Sequence, residues 1–232
     1  MRTKINLILS IMMKKIGVFR GSVFLVFILC ALFCHVSVAS ADIEGKVAYV
    51  YDGDTFLLDS GVKVRLASID APETGKNKSP NGYYAQKSWM ALKELISRKM
   101  VRIETETTDR YGRVIGWVYT SGGDLVNKVM LRTGNALFYK HKGNSPVLEN
   151  KIFLAQCQAV KDRCGLWAGI FNAALAREKW VGNSKSWRCF PVSSSIAWKI
   201  SKHHRKFFKN LEQAVLAGYS PARNSGFWPY EK

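Results

Sequence analysis

Acidic residues are scarce in this chain: 17 Asp and Glu stand against 35 Lys and Arg in 232 residues, a formal net charge of +18. The shortage argues against a basic partner and for a polyanion such as nucleic acid. Cysteine is sparse too, with five residues and no C-x-x-C spacing, so a zinc site built on that motif is excluded. No repeat or low-complexity tract is present, which excludes a solenoid. The apolar run from Val23 to about Val38 contains His35 and falls short of the roughly 20 residues a spanning helix needs.

That run follows Arg2, Lys4, Lys14, Lys15 and Arg20 and precedes Ala39-Ser40-Ala41. Residues 1–41 therefore read as an export signal cleaved between Ala41 and Asp42, with an uncleaved anchor as the alternative. Only the anchor would bring membrane contact, and the rest of the chain is exported in either case, to the periplasm or the medium. Leu29 and Phe33 are too large for a lipid-anchor pattern before Cys30 or Cys34. Taking those five basic residues from 35 leaves 30 against 17 acids, still +13. Cleavage also leaves Cys157, Cys164 and Cys189. Continuous helix would hold the first two about 10 Å apart, too far to bridge. A disulfide needs the helix to stop before Cys164, or needs Cys189; unpaired thiols are the other reading.

From Gly45 to Ile69 the chain alternates in the manner of strands. Val47, Tyr49 and Tyr51 lead into an Asp-Gly turn, and Asp59-Ser60-Gly61 turns a second strand into Val62, Val64 and Leu66. Ala85, Trp89, Leu92 and Ile96 then follow helical spacing. Val101 and Ile103 open a strand that Tyr111-Gly112 turns into another; a short helix runs from about Leu125 to Arg132, and Ala136 to Tyr139 forms a last strand. Pro146 opens a third helix that Gly165 ends. This order predicts an α+β fold over residues 43–168 with a small antiparallel barrel, compatible with an OB-type fold. Trp89, Trp117 and Trp167 are expected in its core. Beyond 168 few strands are evident and basic residues accumulate. Asn210 to Leu216 reads as a helix with Asn210 and Gln213 as a capping box and Gly218 as its stop.

Against the basic background, one set of acids stands out. Asp54 and Asp70 are hard oxygen ligands suited to Ca2+ or a similar cation, and the carbonyl of Ala71, stiffened by Pro72, can complete the set. Glu73 lies within reach of a metal-ordered water as general base. Arg65 and Arg113 present planar forks that match phosphate oxygens. The combination describes a metal-dependent phosphodiesterase.

Five segments in order, Tyr51-Asp52-Gly53-Asp54-Thr55, Val64-Arg65-Leu66, Ile69-Asp70-Ala71-Pro72-Glu73-Thr74, Asp109-Arg110-Tyr111-Gly112-Arg113 and Gly165-Leu166-Trp167, resemble the staphylococcal nuclease (thermonuclease) family. The resemblance implies a five-stranded OB-type antiparallel barrel with three helices, a single Ca2+, and cleavage of DNA and RNA with little sequence preference, leaving 3′-phosphate and 5′-hydroxyl ends. It implies metal binding by Asp54, Asp70 and the Ala71 carbonyl, transition-state contacts from Arg65 and Arg113, and Glu73 as base. It further implies that Asp52 supports the metal carboxylates from behind, that Arg110 and Tyr111 lie beside the nucleotide phosphate, and that Tyr139 stacks on substrate. Ala71 stands where the founding member has threonine, a change of no consequence if only its carbonyl is used.

Residues 169–232 form a basic C-terminal extension. Asn183 through Ser220-Pro221 resembles the small metal-binding module of Ada-type DNA-repair proteins, but Ala222, Ser225 and Ser193 stand where cysteines are expected and Cys189 alone lies near a ligand position. The reading is a degenerate, metal-free module that adds basic surface. The leading function is an exported Ca2+-dependent nuclease acting on DNA and RNA, a monomer with no obligate protein partner. The alternatives are a catalytically silent OB-fold that binds nucleic acid, and an envelope-anchored scaffold with a basic face.

Overall fold

The computed structural model describes residues 42–75 and 82–228. The expected export signal, residues 1–41, lies outside them. Strands β1 (Ile43–Val50), β2 (Thr55–Leu58), β3 (Lys63–Leu66), β5 (Met100–Thr108) and β6 (Val114–Thr120) close a barrel in the order β1-β2-β3-β6-β5. Four seams are antiparallel, and the parallel β3–β6 seam, with Arg65 opposite Ile115, closes the OB-type barrel. Phe56, Leu58, Val64, Leu66, Ile103 and Val118 fill it. A register shift between Val47 and Tyr49 changes the phase of β1. Val50 therefore enters the core, and Tyr49 and Tyr51, which strict alternation would put on the same face as buried Val47, are exposed.

Three helices stand in the predicted places: α1 (Ala85–Ile96), α2 (Val126–Arg132) and α3 (Pro146–Lys161). Ser145 caps α3 by accepting from Leu148 N at 3.4 Å. Beyond α3, Gly165 meets Gly134, two residues past the end of α2. A Cβ on Gly134 would lie 2.2 Å from the Cys164 carbonyl oxygen, and one on Gly165 2.3 Å from the Gly134 oxygen. Both positions also need positive φ, so glycine is required twice over. The two-residue strands β4 (Ile69–Asp70) and β7 (Leu137–Phe138) pair outside the barrel. Trp117 and Trp167 are buried as expected, and half-buried Trp89 donates to the Val50 carbonyl.

The C-terminal extension is more structured than its sequence suggests. Strands β8 (Trp180–Asn183), β9 (Arg188–Pro191), β10 (Arg205–Phe208) and β11 (Ser220–Pro221) form a sheet in the order β10-β8-β9-β11. Each spans four residues or fewer, too short for two-residue alternation to emerge. The short helices α4 (Trp167–Ile170) and α5 (Ala174–Arg177) lead into the sheet, and α6 (Leu211–Leu216) packs on it. Asn210 caps α6 through Gln213 N, while the Gln213 side chain accepts from Lys209 N instead of closing a box on Asn210. Trp180, Leu211, Val215 and Tyr219 share one cluster with Ala159 and Val160 of α3, so the extension packs against the barrel's last long helix. Cys157, Cys164 and Cys189 are free thiols; α3 does stop before Cys164, yet no bridge forms. Ala222 N donates to the Cys189 carbonyl and Ser225 N to that of Ala222. The positions compared with zinc ligands are thus adjacent, and of these three only Cys189 carries a zinc-binding side chain. Among the described residues no helix is long and apolar enough to cross a membrane.

Candidate active site

The turn between β1 and β2 places the first carboxylate. Asp54 N donates to Asp52 Oδ1 at 3.0 Å, a local bond that fixes the Asp-Gly-Asp turn. Gly53 lies against α1, where a Cβ would meet Ser88 Oγ at 1.8 Å and Ala71 Cβ at 2.8 Å. Gly53→Ala is therefore expected to lower the unfolding free energy by about 1–3 kcal/mol. An unchanged urea midpoint would mean that the turn retreats from α1 without cost.

Asp54 is 1% exposed. Its Oδ1 accepts from Thr55 Oγ1 at 2.8 Å and from Arg65 Nη1 at 2.7 Å, and its Oδ2 from Ala71 N at 2.8 Å. Arg65 on β3 reaches across to Asp70 Oδ1 at 3.3 Å. The β4–β7 ladder holds Asp70, and Tyr139 N donates to Ser68 O beside it. Asp109 fixes Arg113 with an ion pair of 2.7 Å and a bond to Nε of 2.8 Å. Arg110 donates to the Tyr111 hydroxyl at 2.7 Å, and Tyr111 is exposed.

One cleft of about 760 Å³ gathers Arg65, Asp70, Glu73, Arg110, Tyr111, Arg113 and Tyr139 in its walls. Asp54, Ala71 and Asp52 are linked to it through the bonds above. Three further cations line the cleft: Lys63, Arg188 and Arg223. The last two come from the C-terminal extension. Arg188 Nη2 pairs with Asp70 Oδ2 at 2.8 Å, and its guanidinium lies 3.9 Å from the Tyr139 ring centroid, covering one face of the ring expected to stack on substrate. Arg223 pairs with Asp70 Oδ1 and with Glu73, and donates to the Ala71 carbonyl oxygen at 3.2 Å. The basic content of the tail was visible in the sequence, but no local pattern marks which arginines fold back onto the barrel.

The electrostatics follow from this crowding. Burial opposes ionisation of Asp70, but Arg223, Arg188 and Arg65 outweigh it and hold the carboxyl below its usual range. Burial, reinforced by the neighbouring Asp54 charge, pushes Asp52 up to about 7. Among the described residues no group of three or more His, Cys, Asp or Glu side chains is arranged to hold a metal. A metal would be held by two carboxylates, a carbonyl and water. The donors fit a hard cation, being all oxygen, and the Arg223 guanidinium already draws on Asp70 and the Ala71 carbonyl as a cation would.

The family model for staphylococcal nuclease homologues matches residues 63–169. An uncharacterized endonuclease of Escherichia coli is 38% identical over 134 residues, covering 56% of this chain and 81% of that protein. A micrococcal nuclease of Shigella flexneri is 31% identical over 141 residues, covering 56% and 76%. A thermonuclease of Staphylococcus intermedius is 31% identical over 139 residues, covering 56% and 80%.

Proposed function

As a member of the staphylococcal nuclease family, this chain is an endonuclease that hydrolyses phosphodiester bonds, and we propose that it is exported, acts as a monomer on both DNA and RNA, depends on Ca2+, and leaves 3′-phosphate and 5′-hydroxyl ends. The observation that carries this reading is the convergence of Arg65, Asp70, Glu73 and Arg113 on one cleft, with buried Asp54 bonded to Arg65 behind it.

The carboxylates of Asp54 and Asp70 and the Ala71 carbonyl would hold Ca2+, which when bound would supply electrophilic stabilisation of the phosphoryl oxygens. Arg65 and Arg113 hold the non-bridging oxygens of the scissile phosphate, and their bonds strengthen as charge builds there. Glu73 accepts a proton from the attacking water, whose oxygen bonds to phosphorus. The P–O5′ bond then breaks, and the departing 5′ oxygen takes a proton from solvent. Glu73 is paired with Arg223 in this structure, so that contact opens before the carboxylate acts as base. Arg110 and Tyr111 flank the phosphate at the cleft rim, Tyr139 offers its uncovered ring face to a base, and Asp52 keeps Asp54 in place through the turn.

Asp54→Asn is expected to shift the Ca2+ titration of activity about tenfold or more to higher concentration, and an unchanged titration would remove Asp54 from the metal's ligands. Fragments should accept a kinase label at their 5′ ends without prior phosphatase treatment. Labelling only after phosphatase would place the broken bond on the other side of phosphorus. The mass of the protein recovered from the producing cell should correspond to a start at Asp42, and a mass that includes residues 1–41 would favour the anchored form.

A further inference from the structure

The catalytic cleft does not end at the barrel. Beyond Arg188 and Arg223 lies a second cavity of about 410 Å³, inside the C-terminal extension, and these two arginines stand in the walls of both. The two spaces share these two residues as a common wall. The cleft is lined by Lys63, Arg65, Arg110, Arg113, Arg188 and Arg223 against only Asp70 and Glu73. The second cavity adds Lys199 and no acid. Asn183, Ser186 and Asn224 give it groups able to bond a base edge, and Phe190 and Ile196 give it an apolar wall. Its size lies in the range of small-ligand sites, which admits one nucleotide and not a duplex. Arg188 is held from three sides, by Asp70, by the Tyr139 ring and by Ser220 Oγ at 3.1 Å, so it is oriented before any ligand arrives.

We propose that the C-terminal extension forms the second half of the substrate trough, and that this cavity is a subsite for a nucleotide of single-stranded nucleic acid neighbouring the scissile phosphate. Arg188 and Arg223 carry the connecting phosphate, and Lys199 meets the next one along. The proposal rests on the nuclease reading of the cleft. It gives the extension a role that needs no metal of its own, since what it contributes is charge and shape. Arg223 moves from the carboxylates to the phosphate when a strand enters, which also frees Glu73.

The test measures binding, in EDTA so that no cleavage occurs. Fluorescein-labelled oligothymidylate of two and of eight nucleotides is titrated with the full-length protein by anisotropy at several salt concentrations. Lys199 is exposed, so Lys199→Ala perturbs the fold little. This variant should weaken the eight-mer, reduce its salt slope by roughly 0.7, and leave the dinucleotide unchanged. Arg223→Ala should weaken the eight-mer as well, and Arg113→Ala should weaken both ligands. If Arg113→Ala acts as expected but Lys199→Ala leaves the eight-mer slope unaltered, the subsite is refuted while the nuclease cleft stands. Tighter binding by Arg223→Ala would also refute it, making Arg223 a plug on the carboxylates. If Arg113→Ala changes neither ligand, the nuclease reading fails and this proposal with it.

Discussion

Arg113→Lys is expected to lower kcat about 10²- to 10³-fold, the scale for losing one oriented donor to a transition state, with little change in melting temperature. The charge survives this substitution, so the loss isolates geometry. Arg113 is held by Asp109 through its backbone N at 3.0 Å, its Nε at 2.8 Å and its terminal Nη2 at 2.7 Å, leaving the rest of the fork for phosphate. Lysine is a point charge on a flexible stem; it can keep one bond to Asp109 or meet phosphate, but it cannot do both at fixed angles. KM should change less than kcat, because the lost contact matters most when the phosphoryl oxygens carry extra charge. Turnover close to wild type would take Arg113 out of the transition state. A change confined to KM would leave it a ground-state binder only.

Asp70→Asn is expected to be the most damaging single change to stability. Asp70 is 5% exposed and is shared by Arg65, Arg188 and Arg223. Removing its charge leaves three guanidinium groups converging on a neutral amide, and breaking a buried pair in this way costs about 3–5 kcal/mol. Two of those arginines belong to the C-terminal extension, so the extension should loosen first, visible as faster proteolysis after residue 169 than within the barrel. The acid response gives an independent check. The folded-state pKa of Asp70 is depressed, so its contribution is complete above the unfolded carboxylate value of about 3.9 and is lost as pH falls through the lower folded value. Stability of the variant should fall less steeply with acid than that of the native protein. Equal urea midpoints for the two proteins would contradict this account of the arginine cluster.

Much of the barrel is legible in the sequence because its signals are local. Asp-Gly and Asp59-Ser60-Gly61 mark the turns, Pro146 and Gly165 bracket α3, and the α1 spacing of Ala85, Leu92 and Ile96 survives as three fully buried positions. The motif residues meet in one cleft for a similar reason: each sits on a strand end or turn that the barrel places at the same rim. What escaped detection depends on contacts distant in sequence. A one-residue irregularity in β1 turns Tyr49 outward, which alternation alone cannot foresee. Arg223 reaches a carboxylate 153 residues away, and its neighbours Ala222 and Asn224 carry no sign of it. The four-stranded sheet of the extension was hidden by the shortness of its strands, four residues or fewer, and with it the second half of the trough.

If the Arg65, Asp70, Glu73 and Arg113 constellation is a metal-requiring nuclease site, cleavage must depend on both the metal and Arg113. The most direct test incubates plasmid and single-stranded DNA with the native protein and with Arg113→Ala, each in Ca2+ and in EGTA. The account predicts degradation of DNA by the native protein in Ca2+ alone, with loss in EGTA and a drop of several orders of magnitude in the variant. Tight binding of DNA without cleavage in Ca2+, or cleavage that survives both EGTA and loss of Arg113, would contradict it.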